Sequence, residues 1–474
     1  MRRRGRKRPV LKAGRIGEYE IQLIVGLLVL ELISLGYMCV KGAGFLFLQT
    51  LVVLIPISAL SCFLVLRYQA NRLLVIFTFL MLNFGFVSQY LTSDNPSKII
   101  ASALLKYVFA FLVAYLAAFC FLKYSTLISL DIMVPVITSI QIILCAMLVI
   151  PELYQRITNK TYEGKEVLIT LQIGPISIQP MELIKILYIF VVVILFCKEE
   201  RLDKKICKLP RELYFIIYTI ILAICSIIIS ELGTLLVMLS IGGVMMLIHS
   251  QNRKLIIKLA CIAIVLFVGV AFILSLEIPQ INNIEVVHKA YTRFSSFISP
   301  ETANPDDVFH ALQAKKALTM GGLFGPDAER YIGNLAMAND DMIFVNLVRH
   351  CGILMGSLMI LAVFAIFYQS VQISYKNKDS YYSGLAFCIG LLLTLEAIIH
   401  IAYNIGIFPI TGIPMYLVSE GVTSMTTGLS MIAILLVIST DVLAERKYED
   451  EENFTKGVRM FLPRRRSTYR KRKK

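Results

Sequence analysis

Apolar residues in this chain fall in long unbroken runs rather than in alternation with polar ones. Runs near 20–40, 44–66, 72–90, 101–122, 127–151, 181–197, 212–230, 231–248, 254–276, 342–369, 383–405 and 424–443 approach or exceed the roughly 20 residues that cross ~30 Å of hydrocarbon. Each predicts a membrane helix. The fold class expected is an all-α polytopic bundle of about 12 transmembrane helices with a large extracytoplasmic loop. The first run is too long for a signal peptide and lacks a clear small-residue cleavage site, so it is read as a span.

The polar connections set the orientation. Arg67 and Arg72, Lys123, the basic stretch 198–211, Arg253 with Lys254, and Lys376 with Lys378 all fall on one side. With the N-terminus inside, that side is the cytoplasm, and both tails join it. The other connections lie outside. Two of these are long, 152–180 and 277–340, and long loops tend to carry function.

Composition excludes two classes. Of 474 residues, 57% are hydrophobic and 17% charged. Soluble domains run near 45–50% apolar and about 25% charged, and disordered chains have the opposite bias. The formal charge is +15, and residues 1–18 and 445–474 carry +7 each. Basic tails beside membrane spans fit the positive-inside rule and attraction to anionic lipid, with no nucleic-acid partner required. Of ten cysteines, nine lie in apolar runs or at their ends and Cys207 lies in the basic connection. No disulfide framework or zinc site is expected from that placement.

Charged groups inside a bilayer cost ~2.5–3.5 kcal/mol each and need partners or a wet cavity. Glu182 and Lys185 share one helix face, either neutralising each other or lining a cavity. Glu396 and His400, at i and i+4, are placed to pair directly. Lys106 and Asp131 are expected to pair or snorkel. Asp341, beside Asp340, sits where the long outer loop meets the 342–369 run. There it would cap a helix, take a proton from a hydroxyl, or hold a divalent cation. Arg349 and His350 lie two turns further along the same predicted helix, with Arg349 ~12 Å deeper.

Several segments then fall into one order. Ile178-Gln179-Pro180-Met181-Glu182-Leu183-Ile184-Lys185 resembles the Q-P-S-E-x-x-K motif of the SEDS family (shape, elongation, division and sporulation; the RodA/FtsW/SpoVE type). Glu231-Leu232-Gly233-Thr234 resembles its D-L-G-T. Arg293-Phe294 through Phe297 and Pro300 matches R-F-x-x-F-x-x-P, and Gln313 with Gly321-Gly322-Leu323-Phe324-Gly325 matches Q…G-G-L-x-G. Asp341-Met342-Ile343-Phe344 is similar to T-D-F-I-F. The stretch Gly406 to Pro414, then Ser419-Glu420-Gly421, is similar to G-I-L-P-V-T-G-I-P followed by S-Y-G. The resemblance covers about residues 155–445. It divides the chain into a basic tail (1–18), helices without matched motifs (19–151), a SEDS-like membrane core with both outer loops (152–445) and a second basic tail (446–474).

The resemblance implies a family core of ten spans, with two extra at the N-terminal end. It also implies a peptidoglycan glycosyltransferase, an inverting hexosyl transferase that polymerises lipid II at the outer face of the bacterial cytoplasmic membrane. Asp341 corresponds to the family's essential acid. Substrate-binding candidates are Arg293, Lys185, Glu182, Gln313, Gly322 and Ser419, with Arg293 and Lys185 facing the pyrophosphate and Arg349 third. Partners implied are lipid II, membrane lipids and a class B penicillin-binding transpeptidase. Mg or Mn is the one cofactor left open. Glycines 321, 322 and 325 either let substrate approach the backbone or shape a turn. The sequence departs from the family at Met181 for Ser, Glu231 for Asp, Arg349-His350 for Glu-Glu and Glu420 for Tyr, and it contains no Trp. Two other functions stay in view: a lipid II flippase or transporter, and a catalytically degraded scaffold for the transpeptidase.

Overall fold

The computed structural model describes residues 70–92, 96–158, 171–173, 176–197, 205–249, 305–326, 335 and 337–440, with isolated positions elsewhere. The expected runs 20–40, 44–66 and 254–276 lie wholly or largely outside the described residues, as does Arg293. The helices are α1 (Arg72–Thr92), α2 (Pro96–Ile128), α3 (Met133–Thr158), α4 (Pro180–Phe196), α5 (Arg211–Ile228), α6 (Leu232–His249), α7 (Pro305–Met320), α8 (Ile343–Cys351), α9 (Ile353–Lys376), α10 (Ser380–Asn404) and α11 (Val422–Ile438). Among the described residues, seven are long and apolar enough to cross a membrane, namely α1, most of α2 and α3, α5, α6, α9 and α10. Among the described residues, a small antiparallel hairpin interrupts the all-α architecture. Strands β1 (Leu171–Ile173) and β2 (Ile176–Ile178) pair within the 152–180 connection, with Leu171 opposite Ile178.

Helix α4 forms the centre. Its Val191 to Phe196 run is at most 1% exposed. A helix apolar all round belongs in a core, and α4 packs against α3, α6, α10 and α11. Peripheral helices show the opposite character. Leu105, Leu112, Leu116 and Phe119 on α2, and Ile217, Ile220 and Ile224 on α5, are exposed large apolar side chains. Such a surface suits lipid rather than water.

Charged pairs tie the bundle across long sequence separations. Arg211 pairs with Asp131 at 2.9 Å, and its Nη1 donates to the carbonyls of Ile194 (3.0 Å) and Leu195 (3.3 Å). One guanidinium thus covers carbonyls that the α4 C-terminus leaves without helical partners. Lys106 pairs with Glu420 at 2.7 Å. The expected pairing or snorkelling of Lys106 and Asp131 resolves into these two bridges.

The 342–369 run is not one helix. It breaks at Gly352, where φ is +86° and ψ 169°. Only glycine adopts that conformation readily. Hydrophobic patterning missed the break because both sides are apolar. The Gly321–Gly325 turn fills it: Gly322 O accepts from Ile353 N (3.0 Å) and Leu323 O from Leu354 N (3.3 Å). These bonds serve two of the amides that open α9. A Cβ at position 352 would meet Leu323 O and lie 2.5 Å from Gly325 N. Gly352→Ala is therefore expected to destabilise the fold by about 3 kcal/mol, from backbone strain together with that collision. Thermal unfolding in detergent measures it, and an unchanged midpoint would refute this account of the break.

Candidate functional site

Asp341 and Ser419 meet at one end of the bundle, where α1 and α10 finish and α4 and α11 begin, while Gly322 lies at the α8–α9 break. Asp340 and Asp341 lie just before α8. The residue at the N-cap of that helix is Met342, with no side-chain cap bond. Asp341 stands one residue before that cap position. Because α8 starts at Ile343, Asp341 lies two residues before the helix that carries Arg349.

The main chain holds Asp341 in place. Its carbonyl accepts from the Tyr403 hydroxyl (2.9 Å) and from Asn404 Nδ2 (2.8 Å) at the end of α10. Asn404 also donates to His400 O (2.9 Å), while its Oδ1 accepts from Val345 N (3.3 Å) in the first turn of α8. The adjoining Asp340 carbonyl accepts from Ser419 Oγ (3.1 Å), and Asp340 Oδ1 accepts from Gly421 N (3.1 Å). Burial raises the Asp340 carboxyl above the usual aspartate range and the Glu420 charge adds to that, while the Gly421 N–H and Lys106 pull it back. Asn404→Ala removes three bonds without adding bulk at this buried position. It is expected to cost about 1–3 kcal/mol, because the buried carbonyls and amide lose partners; the unfolding midpoint of purified protein reads this directly.

A charged cluster lies behind the aspartates. Lys185 Nζ donates to Glu182 Oε1 at 2.7 Å and to Glu396 Oε1 at 2.5 Å. All three residues are at most 3% exposed. Tyr416 OH donates to Glu182 Oε2 at 2.8 Å, and the Lys185 ammonium lies 5.2 Å from the centre of the Tyr416 ring. Lys185 therefore joins α4 to α10 and to the segment between α10 and α11. The expected Glu396–His400 pair does not form its own bridge. Glu396 goes to Lys185, and His400 Nδ1 bonds Ile413 O at 2.8 Å.

The 405–421 segment is non-helical and forms the wall beside Asp341. Gly406, Gly412 and Leu417 all have positive φ. A Cβ built on Gly412 would stand 3.8 Å from Asp341 Oδ2. Val418 O packs against Gly85 of α1 and accepts from Gln89 Nε2 at 3.1 Å. Irregular backbone at membrane depth persists where protein satisfies its amides, as it does here.

Several candidates are spent on the protein itself. Lys185 and Glu182, expected to meet substrate, are buried in the cluster above. Ser419 is 0% exposed, and its Oγ accepts from Met415 N (2.9 Å) as well as donating to Asp340 O. Gly322 gives its carbonyl to Ile353 N, so of the two readings for these glycines the turn is the one this geometry displays. Gln313 lies half-buried on α7. Arg349 is 5% exposed, away from any open surface. Sequence reading missed Tyr403, Asn404 and Tyr416. The signal present was spacing: Glu396, His400 and Tyr403 recur at i, i+4 and i+7 along one face of α10.

A family model described as "Cell cycle protein" (FtsW/RodA/SpoVE) matches residues 64–443. The chain belongs to this family. The FtsW/RodA/SpoVE match reaches further toward the N-terminus than the motifs at 155–445 had indicated, and it leaves the first two apolar runs outside except for residues 64–66. Relatives include the probable peptidoglycan glycosyltransferase FtsW of Bacillus subtilis, 25% identical over 61% of this chain and 71% of that protein. The FtsW of Geobacter sp. is 27% identical over 56% and 69%. The stage V sporulation protein E of Bacillus subtilis is 26% identical over 56% and 70%. Among solved structures, a chain from a peptidoglycan synthase complex shares the fold, with TM-score 0.57, 15% identity, and coverage of 79% of this chain and 98% of that one. Family membership and the apolar helices make this an integral membrane protein of the bacterial cell envelope.

Proposed function

We propose that this chain polymerises lipid II into glycan strands at the outer face of the bacterial cytoplasmic membrane, with both termini in the cytoplasm. The observation that carries the reading is the clamp on Asp341. Tyr403 and Asn404 grip its backbone carbonyl. A general base needs a fixed position within reach of the proton it takes.

In this reading Asp341 removes the proton from the GlcNAc 4-hydroxyl as that oxygen attacks the anomeric carbon of the MurNAc donor. The bond from that carbon to the undecaprenyl pyrophosphate breaks on the opposite face, and the configuration inverts. Arg293 is the candidate to offset the departing pyrophosphate charge, since Lys185 is already bound to two carboxylates. Among the described residues no group of three or more His, Cys, Asp or Glu is placed to hold a metal ion, so no step is assigned to Mg or Mn. A class B penicillin-binding transpeptidase is the expected protein partner, and membrane lipids surround the bundle.

The test is lipid II polymerisation by purified protein, alone and with the transpeptidase. Glycan strands support the reading. Folded protein that makes no strands but carries lipid II across vesicle membranes would be a transporter. Folded protein that does neither would fit the scaffold role.

A further inference from the structure

Lys106 and Glu420 are 314 residues apart and bridge at 2.7 Å at the end of the bundle that carries Asp341. Position 420 is a tyrosine in the motif this segment resembles, so the bridge is a feature of this chain's own sequence. Glu420 does more than pair. Its Oε2 accepts from Asn339 Nδ2 at 3.2 Å, and its backbone N–H donates to Asn339 O at 2.9 Å. On either side of it, Ser419 Oγ donates to Asp340 O and Gly421 N donates to Asp340 Oδ1, each at 3.1 Å. Residues 419–421 therefore grip both residues that precede Asp341.

Charge explains why a cation is needed there. Asp340 and Glu420 bring two carboxylates to the contact between 339–340 and 419–421, with Asp341 next in the chain. Lys106, reaching over from α2, is the cation bonded to Glu420. Without it, Glu420 and Asp340 repel, and the contacts between 419–421 and 339–340 lose their anchor. The side chains of Lys106 and Glu420 are 20% and 37% exposed. Pairs that open to solvent add little to global stability. A role in local geometry, by contrast, does not require them to.

We propose that the Lys106–Glu420 bridge is a strut that positions Asp341 for proton transfer, making Lys106 and Glu420 positioning residues for the reaction. The inference rests on the proposed function for its kinetic consequence. Its structural half, that the strut holds residues 339–342, stands independently.

The test compares Lys106→Met, Glu420→Gln and the swapped pair Lys106→Glu/Glu420→Lys in full-length protein. Two readouts are taken: lipid II polymerisation rate against substrate concentration, and hydrogen–deuterium exchange of the 339–342 amides. Each single variant is expected to lower kcat about tenfold, with KM within about twofold, the scale of a positioned acid–base group moved out of place. Exchange at 339–342 should quicken while the unfolding midpoint stays put. The swapped pair should recover most of both losses. Wild-type kcat and exchange in the single variants would overturn the strut. So would a swapped pair that recovers neither, since charge pairing would then not be the agent. An inactive wild type whose 339–342 amides still loosen in Lys106→Met would overturn the proposed function and leave the strut in place.

Discussion

Asp341→Asn is expected to lower lipid II polymerisation by about 10²- to 10⁴-fold, the usual range for loss of a positioned general base. The sugar hydroxyl is a poor nucleophile until its proton leaves, and an amide cannot accept that proton. The replacement separates chemistry from structure unusually well, because the bonds that fix position 341 go to its backbone carbonyl from Tyr403 and Asn404. Asparagine keeps that carbonyl and the shape of the side chain. The unfolding midpoint should therefore hold while turnover disappears, and KM should change far less than kcat.

Lys185→Met carries the second large effect, on folding. Lys185 is 1% exposed and is bonded by two carboxylates that are themselves buried. Removing the cation strands Glu182 and Glu396 without a counter-charge at the packing centre of the bundle. Breaking a buried ion pair from one side typically costs about 3–5 kcal/mol. Removing all three charges together, in Lys185→Met/Glu182→Gln/Glu396→Gln, leaves no such charge behind. That triple variant is expected to unfold at a higher temperature than Lys185→Met alone. A single variant as stable as the wild type would mean that the cluster does not hold α4, α10 and the 405–421 segment together.

Helices were the legible part of the sequence, because lipid imposes a length and an apolar composition that a single run displays. The run at 181–197 became α4 at Pro180–Phe196, and the run at 383–405 became most of α10. Three features were not legible, each for a different reason. Gly352 interrupts a run that is apolar on both sides, so composition gave no warning, and only the turn carbonyls of Gly322 and Leu323 explain the break. The hairpin at 171–178 is too short to show a period of its own.

Charge pairing was the third. Spacing along one helix finds partners at i+3 and i+4, which located Lys185 beside Glu182 correctly. It could not find Glu396, 211 residues away, or Glu420 opposite Lys106. In the site, the motif marked Asp341, but the residues that grip it come from the end of α10, where Tyr403 and Asn404 read as ordinary interfacial polar residues. Glu182, Lys185 and Ser419 fall within motifs, yet burial assigns them to holding the framework.

The most direct test of the account places wild type and Asp341→Asn side by side, in one detergent and with one preparation of lipid II, recording glycan strand length and thermal unfolding together. The account predicts strands from the wild type, none from Asp341→Asn, and the same unfolding midpoint for both. Strands of normal length and yield from Asp341→Asn would contradict it, because another group would then be taking the proton.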